Sequence, residues 1–170
     1  MVACKIALQR RPDCPISLSN KAGILSAIGE AQEALVTVEW ALAIDRTYED
    51  AWLTKAMIMA ANYCDFPRTM LAFDTARRFG KTGVEGRIVE AWARAADTLS
   101  RKRRNWMAVR CLDCARLYCP QAPSLLTKKG VILCRDFHLR SLGVRILLRA
   151  KELGDRSADS WIESFGVRVK

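Results

Sequence analysis

The strongest constraint in this 170-residue chain is a spacing: a small residue, three residues, a large apolar residue, two residues, and a second small residue. It occurs at Ala34, Val38 and Ala41, at Thr69, Phe73 and Ala76, at Ala108, Leu112 and Ala115, and at Gly143, Leu147 and Ala150. The final small residues are 35, 39 and 35 apart, and an incomplete copy (Cys4, Ala7, Leu8) places Ala7 a further 34 residues before Ala41. Residues three, four and seven apart share one helical face, and small residues on that face admit a neighbouring helix. Recurrence at this period predicts stacked helical units that bury a core only against one another.

At 51% hydrophobic, the chain has enough apolar material for such a core. It lacks an apolar run of the roughly 18 residues needed to span a bilayer, and the apolar stretch in "MVACKIALQRRP" is short for a signal peptide. The expected setting is soluble and cytoplasmic. The seven cysteines are odd in number and fall mostly within helical patterns, which predicts thiols rather than a disulfide framework. The net charge of +10 is uneven: residues 1–75 hold 7 Lys/Arg and 9 Asp/Glu, whereas residues 76–170 hold 21 and 9. A basic second half points to an acidic protein surface, an acidic peptide or nucleic acid as partner.

The segments "GEAQEALVTVEWALAID" and "DAWLTKAMIMAANYCDFPRTMLAFDTARRFG" resemble the tetratricopeptide repeat (TPR) family, with support from "ARLYCP", "ALQRRP" and Trp52, Trp92 and Trp161 near helix starts. The resemblance extends over nearly the whole chain. It implies an all-α fold, a right-handed α-α superhelix (solenoid) in which each helix A pairs with an antiparallel helix B. The expected single domain, 1–170, divides into a half repeat at 1–14, repeats at 15–48, 49–83, 84–122 and 123–157, and a terminal helix at 158–170. Helices are expected near 2–11, 15–28, 31–45, 49–62, 66–79, 85–100, 105–118, 123–136, 139–153 and 157–166. Pro12 and Pro120 match the family's turn proline, but Arg46, Lys81 and Asp155 replace it elsewhere. Five extra residues around "GKTGVEG" either lengthen the next helix A or loosen the stacking. Terminal helices with an uncovered apolar face are candidates for self-association.

In the same register, Asn20, Lys55, Arg94 and Lys129 form a helix A column, at steps of 35, 39 and 35. The resemblance implies that this column lines a concave peptide groove, bordered by Lys128, Asn62, Arg101 and Arg135. Such groups hold carboxylates by charge-assisted hydrogen bonds; the alternative is a solvated helix face. The arrangement is not the family's carboxylate clamp, because Ala51 stands where a clamp lysine would be sought in the repeat after Asn20.

Two further constellations stand out. "SRKRRNW" sets Arg101, Lys102, Arg103 and Arg104 at an A-to-B turn just before Trp106, a candidate nucleic-acid contact combining phosphate attraction with base stacking. Cys111, Cys114, Cys134 and His138 have spacing compatible with zinc, but compact buried packing accounts for these cysteines more economically, so no metal or cofactor is expected. Trp40, Met57, Met59, Phe73 and Leu147 read as inter-helix core. With one histidine, no Gly-rich phosphate loop and no nucleophile elbow, the chain is expected not to be an enzyme. The expected function is a protein-binding scaffold that holds an acidic or amphipathic peptide, as an assembly or secretion chaperone would. The alternative is an RNA-associated helical-repeat protein using the basic second half.

Overall fold

A computed structural model describes residues 13–80 and 83–166, which contain nine α-helices and no strand. They are α1 (Pro15–Ile28), α2 (Ala31–Ile44), α3 (Glu49–Ile58), α4 (Phe66–Phe79), α5 (Val84–Arg101), α6 (Asn105–Tyr118), α7 (Pro123–Asp136), α8 (Arg140–Glu152) and α9 (Ser157–Ser164). A π-helical turn, Met59–Tyr63, extends α3. The helix expected over 2–11, with Cys4, Ala7, Leu8 and Pro12, lies outside the described residues, as does Lys81.

The punctuation is local chemistry. Pro15, Pro67 and Pro123 sit in first turns, where a missing N–H costs no helix bond. Gly29, at φ 100°, stops α1: its N–H reaches the Ser26 carbonyl at 3.3 Å, and the Glu30 N–H reaches the Leu25 carbonyl at 2.9 Å. Two B-to-A turns without the family proline use a different device. In Asp45-Arg46-Thr47 and Asp155-Arg156-Ser157, the aspartate Oδ1 accepts from the backbone N–H two residues on, at 2.8 and 2.9 Å. It also accepts from that residue's hydroxyl, at 2.7 and 2.6 Å. Asp155 Oδ2 accepts in addition from Thr127 Oγ1 of α7, at 2.6 Å, so this turn is tied to its neighbouring helix.

These bonds have a consequence with pH. Hydrogen bonds from Thr47 hold the Asp45 carboxyl below its ordinary range. At Asp155, burial works against ionisation, but the bonds from Ser157 and Thr127 outweigh it and the carboxyl again lies low. The stability contributed is therefore present above the ordinary carboxylate pKa of about 3.9 and is lost as pH falls through the lowered native values. Asp155→Ala is expected to cost about 1 kcal/mol at neutral pH, roughly 2–4 °C in thermal midpoint, with a smaller penalty in acid. Circular-dichroism melts from neutral to acid pH check this; an identical gap between wild type and variant at every pH would remove Asp155 from the acid response.

The chain divides between Ala95 and Ala96, within α5, into two compact units. In unit 1, α1 packs on α2 and α3, and α3 on α4. Its core includes Leu18, Ala22, Leu25, Ala34, Val38, Ala41 and Ile58. In unit 2, α7 packs on α6 and α8, and α8 on α9, around Leu126, Cys134, Val144, Leu147, Ala150, Ala158 and Ile162. Every anchor residue of the four complete sets is buried. The extra residues go with a longer helix A: α5 has 18 residues where α1 and α7 have 14.

Met59, Phe73 and Leu147 are core, as expected, and Met57 is half-buried. Trp40 is not core; it is 50% exposed and shares an outer face of α2 with Val36 and Ile44. It stands two residues, roughly 200° of helical rotation, from the inward Val38, so the packed stripe excludes it.

Candidate functional site

Each unit has a cleft walled by A helices. In unit 1 a cleft of about 310 Å³ is lined by Ser19 and Asn20 of α1, Thr54 and Met57 of α3, and Arg87 and Arg94 of α5. Its floor is tied by Ser19 and Thr54, whose hydroxyl oxygens lie 3.1 Å apart. Its charges are matched: Arg87 pairs with Glu49 and Asp50, and Arg94 donates to Glu90 at 2.5 Å.

The unit 2 cleft is larger, about 770 Å³, and is built from the end of α5, the length of α7 and the start of α9. Trp161 of α9, 39% exposed, supplies apolar surface, and the consecutive Val131 and Ile132 of α7, both mostly buried, show a small part of theirs. Around them Lys128 bonds both carboxylate oxygens of Asp97, at 2.6 and 2.7 Å, and Arg135 pairs with Asp136 at 2.9 Å. Asp155 is engaged by Thr127 and Ser157, as above. Arg101 and Arg103 also line the cleft and enter no ion pair among the described residues; Arg101 bonds only the Thr98 hydroxyl, at 3.3 Å. Arg103 is held at φ 60°, the tip of the turn after α5. The cleft therefore presents apolar surface beside two guanidinium groups not neutralised by carboxylates.

The expected cationic column is split by this geometry. Of the column, Asn20 and Arg94 line the unit 1 cleft; Lys128, Arg101 and Arg135, expected to border the column, line the unit 2 cleft. Lys55 turns instead to Glu39 of α2, at 3.0 Å, and Lys129 to Asp113 of α6, at 2.5 Å; their side chains are only 23% and 18% exposed. Each pairs with an acid 16 residues earlier, on the preceding helix B. Glu39, Asp74 and Asp113 form the matching helix B column, at steps of 35 and 39. Arg94 stands 20 residues after Asp74 because of the extra residues, and pairs with Glu90 on its own helix while Asp74 pairs with Arg77 at 3.8 Å. Lys55 also lies 5.7 Å from the Trp52 ring. Asn62, in the π-helical turn, donates to Ser26 Oγ at 3.0 Å and to the Ile58 carbonyl at 3.2 Å, joining α3 to α1.

The remaining candidates separate as follows. Arg101, Lys102, Arg103 and Arg104 are all exposed, and Trp106 is exposed on one side while its ring packs on Phe137, with centroids 4.7 Å apart. Cys111, Cys114, Cys134 and His138 do not come together: among the described residues no group of three or more His, Cys, Asp and Glu is placed to hold a metal ion. Cys111 is fully buried in the anchor face of α6. Cys134 lies under Gly143 of α8, its Sγ 3.8 Å from the Arg140 carbonyl oxygen. Burial pushes the Cys114 and Cys134 thiols up. His138 is an exposed turn residue at φ 56°.

No sequence-family model and no curated protein sequence matches the chain. Solved structures do resemble it. YrrB, described as a TPR protein with an unusual peptide-binding site, superposes with a TM-score of 0.53 at 17% identity, over 95% of this chain and 80% of that one. MamA gives a TM-score of 0.52 at 15% identity, over 92% and 88% of the two chains. At such identities the likeness is one of fold. Helix pairs of 34- to 39-residue period, small-residue anchors buried in every complete set, and these superpositions lead to one conclusion: by fold, the chain is a TPR-like helical-repeat protein.

Proposed function

We propose that the chain is a protein-interaction module whose unit 2 cleft holds an amphipathic peptide bearing carboxylates. One observation carries the reading: Arg101 and Arg103 border a cleft with Val131, Ile132 and Trp161 in its lining, while the other cations there are already matched by aspartates. Apolar area then supplies affinity, and the two guanidinium groups select orientation and charge, since a fixed guanidinium fork receives a carboxylate in two parallel bonds. Preformed helix walls limit the ordering cost to the peptide. The unit 1 cleft is smaller and internally charge-matched, which suits polar backbone contacts through Asn20 better than capture of an anion. YrrB, with its peptide-binding site, is a precedent for the fold in this role.

The test is selection of a random peptide display library on the wild-type protein, followed by affinity measurement on synthetic copies of the enriched sequences. Enrichment of Asp/Glu together with large apolar residues is expected, and Arg101→Glu/Arg103→Glu should weaken those peptides about tenfold or more, with an unchanged circular-dichroism melt. Peptides without acidic enrichment, or bound equally well by the double variant, would rule out this cleft as an anion-selecting site.

A further inference from the structure

We propose that the edge of unit 2 made by its two A-to-B turns docks on the surface of an anionic lipid bilayer. The turns follow α5 and α7, and two contacts join them: Arg135 Nη2 donates to Ser100 Oγ at 3.2 Å, and the Trp106 ring packs on Phe137. Residues 100–110 carry Arg101, Lys102, Arg103, Arg104 and Arg110 and no carboxylate. Residues 135–145 carry Arg135, Arg140 and Arg145 and one carboxylate, Asp136, with which Arg135 pairs. All eight cations are exposed. This is not a property of every turn in the repeat: the A-to-B turns of unit 1 carry Glu30 and Asp65 instead.

Cations alone fit any polyanion, and the apolar side chains of the same segments make the choice. Trp106 is 63% exposed, Leu139 44% and Leu142 38%. Leucine has no π face on which a base can stack, and one side of Trp106 is already covered by Phe137, so the edge is poorly suited to single-stranded nucleic acid. Exposed leucine and tryptophan in the same segments as exposed arginines match a headgroup boundary: the aliphatic and indole groups leave water for the acyl margin while the guanidinium groups stay among lipid phosphates. Firm attachment to a membrane takes two signals, and this edge combines a polybasic patch with an inserting apolar group. No described helix is long and apolar enough to cross a membrane; the contact proposed is with the bilayer surface. The edge shares Arg101, Arg103 and Arg135 with the cleft, but Trp106, Leu139, Leu142, Arg140 and Arg145 do not line it, so substitutions at those five separate the two readings.

The experiment is sedimentation of the full chain with phosphatidylcholine vesicles and with vesicles in which about a quarter of the lipid is phosphatidylglycerol. Two variants run beside the wild type, Arg140→Glu/Arg145→Glu and Trp106→Ser/Leu139→Ser, each first shown by circular dichroism to melt like the wild type. A fluorescent oligouridine is titrated in parallel. The wild type is expected to sediment with the anionic vesicles only, and each variant to partition about tenfold more weakly while keeping the affinity of cleft-selected peptides. Three results would overturn the proposal: equal sedimentation with neutral vesicles or none with either, anionic-vesicle binding that the Trp106/Leu139 variant leaves unchanged, or binding of the oligouridine without binding of vesicles.

Discussion

Trp92→Ala is expected to destabilise unit 1 by about 3–5 kcal/mol, a large part of the roughly 5–15 kcal/mol that holds an ordinary domain folded. Trp92, on α5, is fully buried against α4. Its ring lies nearly parallel to Phe66, with centroids 6.0 Å apart, and tilted by 42° against Phe73 at 5.0 Å. Phe73 is itself the large member of an anchor set, so truncating the indole opens a cavity beside the residue that organises α4. Each aromatic contact adds about 0.5–1.5 kcal/mol beyond the area it buries, so the cost should exceed that of an aliphatic truncation of similar volume. Trp92→Phe separates the two contributions. It keeps a ring between Phe66 and Phe73 and removes a buried indole N–H that has no hydrogen-bond partner among the described residues; it should cost less than about 1.5 kcal/mol. Urea titrations followed by far-ultraviolet circular dichroism measure both. If Trp92→Ala keeps the wild-type midpoint, the three rings do not hold α4 and α5 together.

In unit 2 the corresponding weak point has no side chain. Gly143 of α8 faces Gly130 of α7: a Cβ at Gly143 would meet Cys134 Sγ and lie 2.8 Å from the Gly130 carbonyl oxygen, and a Cβ at Gly130 would lie 2.9 Å from that of Gly143. Two backbones in contact cannot yield as a flexible side chain does. Gly143→Ala is therefore expected to cost about 1–3 kcal/mol, and Gly143→Val more, although alanine gains about 0.8–1 kcal/mol of intrinsic helix preference over glycine. Gly23 in α1 supplies the control: no other atom lies within 4 Å of where its Cβ would stand, so Gly23→Ala should stabilise by about 0.5–1 kcal/mol. Opposite signs at the two sites in thermal or urea melts would establish close approach as the cause. A neutral or stabilising Gly143→Ala would mean that α7 and α8 can separate without loss.

The same residues mark the boundary between what a one-dimensional pattern contains and what requires the packed chain. Helix existence, helix order and the inward face were legible, because a 3.6-residue period and recurrent small residues are local properties that any neighbour must accommodate. Ala34, Val38 and Ala41 and their three counterparts are accordingly buried throughout. The turn prolines were legible only where present; Asp45 and Asp155 do comparable work through side-chain bonds, and the recurring Asp-Arg-Thr and Asp-Arg-Ser would have signalled it. The candidate site was legible less far. A column of like residues says that side chains occupy equivalent positions, not what lies opposite them. Lys55 and Lys129 share a register with Asn20 and Arg94, but a carboxylate on the adjacent helix B draws those two lysines away from the clefts. Arg101 and Arg103 read as one basic run with Lys102 and Arg104, and only the arrangement of α5, α7 and α9 puts the two in the lining of one cleft with Trp161. The sequence by itself determined the repeat, its helices and its anchors, because those follow from neighbours a few residues apart. Tertiary structure alone decided that Lys55 and Lys129 are neutralised by carboxylates, because an ion pair depends on the distance between helices, which a repeat pattern does not contain.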